Sequence, residues 1–220
     1  QRFGGTPVDM VEKKSVEYAI VELSKQLARE REELEITNGY ELAVDRALAE
    51  HYCKSKNYEK GLELYEKIIE RDNNEDDIKK FIDYSLEHAS QYFKGKDWSK
   101  ILEIYRGLLK FRNIPNSIYK NVGLCLTAMG SHESSLTFFE KYEELAPTDL
   151  QIYSIIGEVL YERLNRNLEA ISYYKKALEL GDKSFRVYNT LGHLYSKIYR
   201  DSHKDEQLNY FLKAYELEPN

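Results

Sequence analysis

With 220 residues, 42% hydrophobic and 32% charged, the chain is long enough for one or two compact domains or for one elongated repeat array. Its net charge of −6, with lysine and arginine never clustered beyond pairs, argues against nucleic acid and anionic membrane as partners. No apolar run approaches the roughly 20 residues of a membrane-spanning helix, and Cys53 and Cys125, far apart and outside any CxxC, read as two reduced, partly buried thiols of a cytoplasmic protein.

The opening "QRFGGTPV" has no apolar core and so does not read as a signal peptide. Because the chain starts on Gln1 and stops directly after a helix at "LEPN", it is expected to be a segment of a longer protein or precursor. "TPVD" (Thr6 to Asp9) supplies a helix N-cap, a proline at the first helical position and an acid in the first turn. It opens a long helix expected to run to about Glu33. Residues 1–38 are read as an N-terminal capping helix, with the remnant of an earlier repeat as the alternative.

From Glu41 onward the chain repeats itself. The clearest copies are "YKNVGLCL", "YSIIGEVL" and "YNTLGHLY", whose glycines, Gly123, Gly157 and Gly192, are 34 and 35 residues apart. Each has a tyrosine upstream (Tyr119, Tyr153, Tyr188) and an aliphatic residue immediately before it (Val122, Ile156, Leu191). A second helix follows with an aromatic in register: Phe139, Tyr174 and Phe211. Two degenerate copies lie upstream, with Ala49 and Ala89 in the glycine slot and Tyr65 and Tyr105 as second-helix aromatics. About six extra residues, placed around "RDNNEDD", lengthen the first copy. A glycine costs about 1 kcal/mol in a helix interior, so three retained at one spacing predict a close helix crossing that admits no β-carbon. Asn57, Asp97, Ser131 and Asn167 are expected to cap the second helices. Pro147 and Pro219 close the third and fifth copies.

These residues resemble the tetratricopeptide repeat: an aromatic, an aliphatic–glycine pair and a second aromatic, then a second helix with alanine, aromatic and closing proline. His88 in an aliphatic slot, Ser135 and Gln207 in alanine slots and Asp182 in a proline slot depart from the pattern. The resemblance implies an all-α fold, a right-handed α-solenoid of about five helix-turn-helix repeats (approximately residues 41–74, 75–115, 116–148, 149–182 and 183–220) preceded by one long N-terminal helix. It also implies a function: a non-catalytic scaffold whose first helices line a groove for a peptide or a helical segment of a partner protein. Counting from the glycine slot, the candidate groove residues are Lys120, Asn121 and Leu124 in the third repeat, Gln151, Ser154 and Glu158 in the fourth, and Arg186, Asn189 and His193 in the fifth. The first two repeats add Arg46 and Glu50, then Asp83, Glu87 and Ser90. The groove is thus slightly basic toward the C-terminus and acidic toward the N-terminus.

Two family subclasses fit poorly. A clamp for a chaperone's C-terminal carboxylate would find only Lys120 and Arg186 in its five positions, and the asparagine ladder of O-linked N-acetylglucosamine transferases only Asn121. Neither metal nor cofactor is expected. The five histidines are scattered, HExxH, GxSxG, P-loop and GxGxxG motifs are absent, and His51 and Cys53 point to different sides of one helix. His88, in a core-facing slot, reads as a hydrogen-bonded interior histidine. The competing function is the recognition region of a larger enzyme, most plausibly a glycosyltransferase, with its catalytic domain outside these residues. The last helix, apolar on more than one side, points to self-association through the C-terminal repeat or to continuation by more protein.

Overall fold

The computed structural model describes residues 7–200 and 202–218, and all regular structure among them is helical. The helices are α1 (Pro7–Lys54), α2 (Tyr58–Asp72), α3 (Glu75–Phe93), α4 (Trp98–Leu108), α5 (Ser117–Ala128), α6 (His132–Leu145), α7 (Leu150–Glu158), α8 (Asn167–Glu179), α9 (Phe185–Tyr199) and α10 (Lys204–Leu217), with a π-helical turn at Val159–Arg163. They make an all-α helical-repeat solenoid, in which α1 packs on α2, α5 on α6, α7 on α8 and α9 on α10. The chain divides into two compact units, Gln1–Tyr84 and Ser85–Asn220.

In the first unit α1 begins on Pro7, as the proline signal predicts, while its expected cap Thr6 lies outside the described residues. The helix expected to end near Glu33 instead continues to Lys54 and becomes the first helix of the first repeat. Asn38-Gly39 looks like a stop signal, yet Gly39 is exposed and meets no neighbour, so it costs only its helix propensity. The extra residues of the first repeat do not form a loop. Asn73 breaks α2 in the left-handed conformation, and α3 restarts at Glu75, about two turns earlier relative to its slot than α5 or α7.

The small-residue contact is inverted in this repeat. Ala49 occupies the first-helix slot, and the glycine sits on the second helix: a β-carbon on Gly61 would collide with the Cys53 sulfur and lie 3.0 Å from the Ala49 carbonyl. Either helix of a pair can supply the missing side chain.

In the second unit the close crossing is as the sequence predicts. A β-carbon on Gly123 would lie 2.5 Å from Cδ1 of Phe139, one on Gly157 2.9 Å from Cε2 of Tyr174, and one on Gly192 2.7 Å from Cε1 of Phe211. Each glycine is covered by the ring of its own second helix. One continuous core runs from α6 to α9, including Leu136, Phe139, Ile152, Ile156, Ile171, Tyr174, Val187 and Leu191. His88 is buried, with its Nε2 3.2 Å from the Tyr92 hydroxyl.

The turns inside the pairs follow one rule. In the first four repeats a residue with positive φ (Lys56, Lys96, Gly130, Asn165) directly precedes the N-cap residue of the second helix. That next residue donates its N–H back into the first helix: Asn57 to Tyr52, Asp97 to Tyr92 and Ser131 to Leu126, each five residues back. In the fourth repeat Arg166 donates to Leu160, six back. The fourth repeat has one more residue between glycine and aromatic than the third, and the π-helical turn, with Leu164 N–H bonded to the Val159 carbonyl, absorbs it. The cap is Arg166 rather than the expected Asn167, which keeps the same spacing to Tyr174 that Asn57, Asp97 and Ser131 have to their own aromatics. Asn57, Asp97 and Ser131 are the caps as expected, but only Asp97 accepts a helix N–H through its side chain, from Lys100. Pro147 closes the third repeat, its carbonyl accepting from the Tyr153 hydroxyl at 2.8 Å. Pro219 lies outside the described residues.

Candidate protein-binding face of the first helices

The nine candidate residues lie on α5, α7 and α9, all within the second unit. Leu124, Gln151, Arg186 and His193 are exposed; Lys120, Asn121, Glu158 and Asn189 are half-buried; Ser154 is buried. His193 stands edge-on to Phe211, with 5.1 Å between ring centroids.

Several of them are already engaged with the neighbouring repeat. The Lys120 ammonium is 2.8 Å from Oδ2 of Asp149, which also accepts from the Tyr142 hydroxyl at 2.7 Å. The same ammonium lies 5.0 Å from the Tyr142 ring centre. Burial disfavours the charged form of Lys120, but its bond to Asp149 outweighs this and holds its pKa above the ordinary lysine value. Burial likewise works against the Asp149 carboxylate, and the Lys120 and Tyr142 hydrogen bonds overcome it, leaving the acid below the usual range. Asp149 also caps α7 by accepting from Gln151 N–H at 3.1 Å.

The slot three residues before the small residue behaves alike in the first and fourth repeats. Ser154 donates to Oδ2 of Asp182 at 2.5 Å, and Arg46 of the first unit bonds Asp77 at 2.8 Å and also reaches Asp72. Each of these side chains extends to an aspartate beside the start of the next repeat. The slot just after the small residue pairs too: Glu158 with Arg186 at 2.8 Å, and Glu50 with both Lys54 and Lys80. The Lys54 and Lys80 hydrogen bonds push the Glu50 carboxyl down to about 2.

The structure therefore divides the candidates in two. Lys120, Ser154, Glu158 and Arg186 join one repeat to the next. Leu124, Gln151 and His193 face solvent without an ion pair, while Asn121 donates weakly to the Tyr105 hydroxyl at 3.4 Å. The sequence reading overlooked Asp149 and Asp182. The first could have been found as the short acid directly before a helix, and the second from its being polar where the repeat pattern has proline.

Among the described residues no group of His, Cys, Asp or Glu could hold a metal ion, and no helix is long and apolar enough to cross a membrane.

The sequence model of the tetratricopeptide repeat matches residues 150–180, the fourth repeat. No curated protein matches the chain. Solved structures resemble it over most of its length. A crystal structure of MamA is 17% identical with a TM-score of 0.58, covering 78% of this chain and 94% of that one. MamA from Desulfovibrio magneticus RS-1, residue 41 to its end, is 18% identical at 0.55, covering 81% and 95%. YrrB, described as a TPR protein with an unusual peptide-binding site, is 16% identical at 0.57, covering 80% and 86%. Identities this low speak for the fold, and the family match over the fourth repeat speaks for that repeat: the chain has the fold of the tetratricopeptide-repeat solenoids, and its fourth repeat matches that family in sequence.

Proposed function

We propose that the chain is a non-catalytic protein-interaction scaffold that binds an extended peptide or a helical segment along the first helices of its last three repeats. The observation that carries this reading is the division of the candidate face. Its charges are neutralised by their neighbours, so the face is fixed in place before any partner arrives, while Leu124, Gln151 and His193 remain exposed on successive first helices. A preorganised surface with one apolar contact and spaced hydrogen-bonding groups suits a peptide backbone with a few side-chain anchors, and ordering costs are low because the face is already set. The peptide-binding site named for YrrB supports the same use of the fold. No observation favours the transferase alternative. Self-association through the last repeat is a separate property and does not compete for these residues.

Selection of a random peptide library on the immobilised chain tests the reading. Enriched peptides should lose binding about tenfold or more to Leu124→Glu/His193→Glu, since exposed hydrophobic and aromatic anchors carry most of such affinity. Lys120→Glu is a poor probe because it would set a like charge against Asp149. A library that yields nothing, or peptides that bind the double variant equally well, would refute it.

A further inference from the structure

The junctions between repeats leave two matching surfaces uncovered at opposite ends of the chain. The first-helix positions five and one before the glycine are buried in the last three repeats: Ile118 and Val122, Ile152 and Ile156, Val187 and Leu191. On the second helices, the position three before the aromatic is equally buried: Leu102, Leu136 and Ile171. The helices carrying these positions meet at the junctions α4 to α5, α6 to α7 and α8 to α9, and most of the residues belong to the one continuous core.

The terminal repeats keep the apolar residues and lack the cover. On α1 the two first-helix positions are Val44 and Leu48, 47% and 40% exposed, with Tyr40 one turn further at 73%. On α10 the second-helix position is Leu208, 57% exposed, and Tyr215, two turns on, is 62% exposed. Leu212, between them, is also exposed, and it stands where the earlier second helices carry Glu66, Arg106, Glu140 and Lys175. The α10 stripe is thus wider than a repeat junction requires, although solvent-facing leucines gain nothing from being retained.

We propose that a second copy of this chain covers these stripes head to tail, the α10 face of one copy docking on the Tyr40–Val44–Leu48 face of the next. This occupant follows from the junctions themselves. The surface that buries the α1 positions elsewhere in the chain is a second helix, and the surface that buries the α10 positions is a first helix. Each end of the chain carries what the other end lacks. Contacts of this kind are heterologous, so they propagate into rings or open chains of copies and do not stop at a two-fold dimer. Each stripe is three side chains, few beside the roughly 20–30 residues a side of a standard interface, so association rises with concentration.

Sedimentation velocity over a concentration series from about micromolar to millimolar, together with mixing, tests this. Wild-type chain should show a rising average mass beyond that of a dimer. Leu48→Glu and Leu208→Glu/Leu212→Glu alter exposed side chains, and unchanged helical circular dichroism checks that both fold. Each variant alone should stay monomeric, because each has lost one half of the junction. Mixed in equal amounts, they should form a 1:1 dimer and go no further, because one complementary pair of faces survives. Three results would overturn the proposal: a wild-type chain that stays monomeric throughout, a Leu48→Glu variant that still dimerises alone (an α10-to-α10 contact), or a mixture that shows no heterodimer.

Discussion

Replacing Gly123 by alanine separates the close-crossing argument from simple helix propensity, because the two effects have opposite signs. Alanine is favoured over glycine in a helix interior by about 1 kcal/mol. The new β-carbon, however, would lie 2.5 Å from Cδ1 of Phe139, where carbon atoms prefer roughly 3.5–4.0 Å. The ring is fully buried, so the overlap of about 1 Å must be relieved by displacing a packed side chain or the helix beneath it. Overpacking of this kind costs about 1–3 kcal/mol, and a ring with no free side falls at the upper end. The net expectation is a loss of about 2 kcal/mol. Gly157→Ala, 2.9 Å from its tyrosine ring, should come out near neutral, as propensity and crowding cancel. Gly107, exposed on α4 with no neighbour within 4 Å, is the control, and its alanine variant should gain a few tenths of a kcal/mol or more. Urea titration followed by the fluorescence of the single tryptophan, Trp98, reports on the second unit. With a slope of about 2 kcal/mol/M the Gly123→Ala midpoint should drop by about 1 M. Phe139→Leu in the same chain should recover part of the loss as a favourable coupling. A Gly123→Ala midpoint at or above that of wild type, alongside a stabilised Gly107→Ala, would refute the reasoning.

Further outcomes follow from the turns, the inter-repeat aspartates and the thiols. Lys96 holds φ of 53° with a side chain exposed to solvent, so Lys96→Gly should raise stability by up to about 1 kcal/mol in the same titration, by removing a left-handed conformation that disfavours a β-carbon. Asp149 has a folded pKa below the ordinary carboxylate value of about 3.9, so its contribution is complete above that value and is lost as pH falls through the lower folded pKa. Acid unfolding of Asp149→Asn should accordingly show a shallower loss of stability below about pH 4 than wild type. Burial pushes the Cys125 thiol up to about 11, and Cys53 is equally buried, so neither should react with a thiol reagent at pH 8 until denaturant is added; prompt reaction of one equivalent would contradict the packing.

The repeat was legible because its two strongest signals are each dictated by a single contact. A glycine facing a ring leaves no room for a large side chain, so Gly123, Gly157 and Gly192 mark the crossings without help from the rest of the chain. The first repeat is less plain, because Ala49 fills that slot and its glycine, Gly61, sits on the second helix against Cys53. Helix ends were harder. Asn38-Gly39 carries a stop signal that the helix simply overrides, and in the fourth repeat the short polar Asn167 draws the cap assignment one residue past Arg166, which keeps the spacing to the second-helix aromatic. The candidate face was found by counting, but counting gives the direction of a side chain and not its partner. Lys120 and Ser154 were therefore read as free to bind when their partners lie 29 and 28 residues further along the chain.

The forward reach from the slot before each crossing makes the order of the repeats matter. Arg46, Lys120 and Ser154 all meet an aspartate, but they meet it with different lengths and different charges, and each aspartate is placed to suit its own predecessor. A helix pair cut out and reinserted elsewhere in the array would keep its own crossing intact and lose its fit to the neighbour: Ser154 in place of Lys120 would leave Asp149 half-buried without a cation. The pairs are alike as folded units and unlike as links. Shuffling by recombination should therefore be tolerated by the helices and rejected at the seams, so the sequence of parts is under a constraint that the parts taken singly do not reveal.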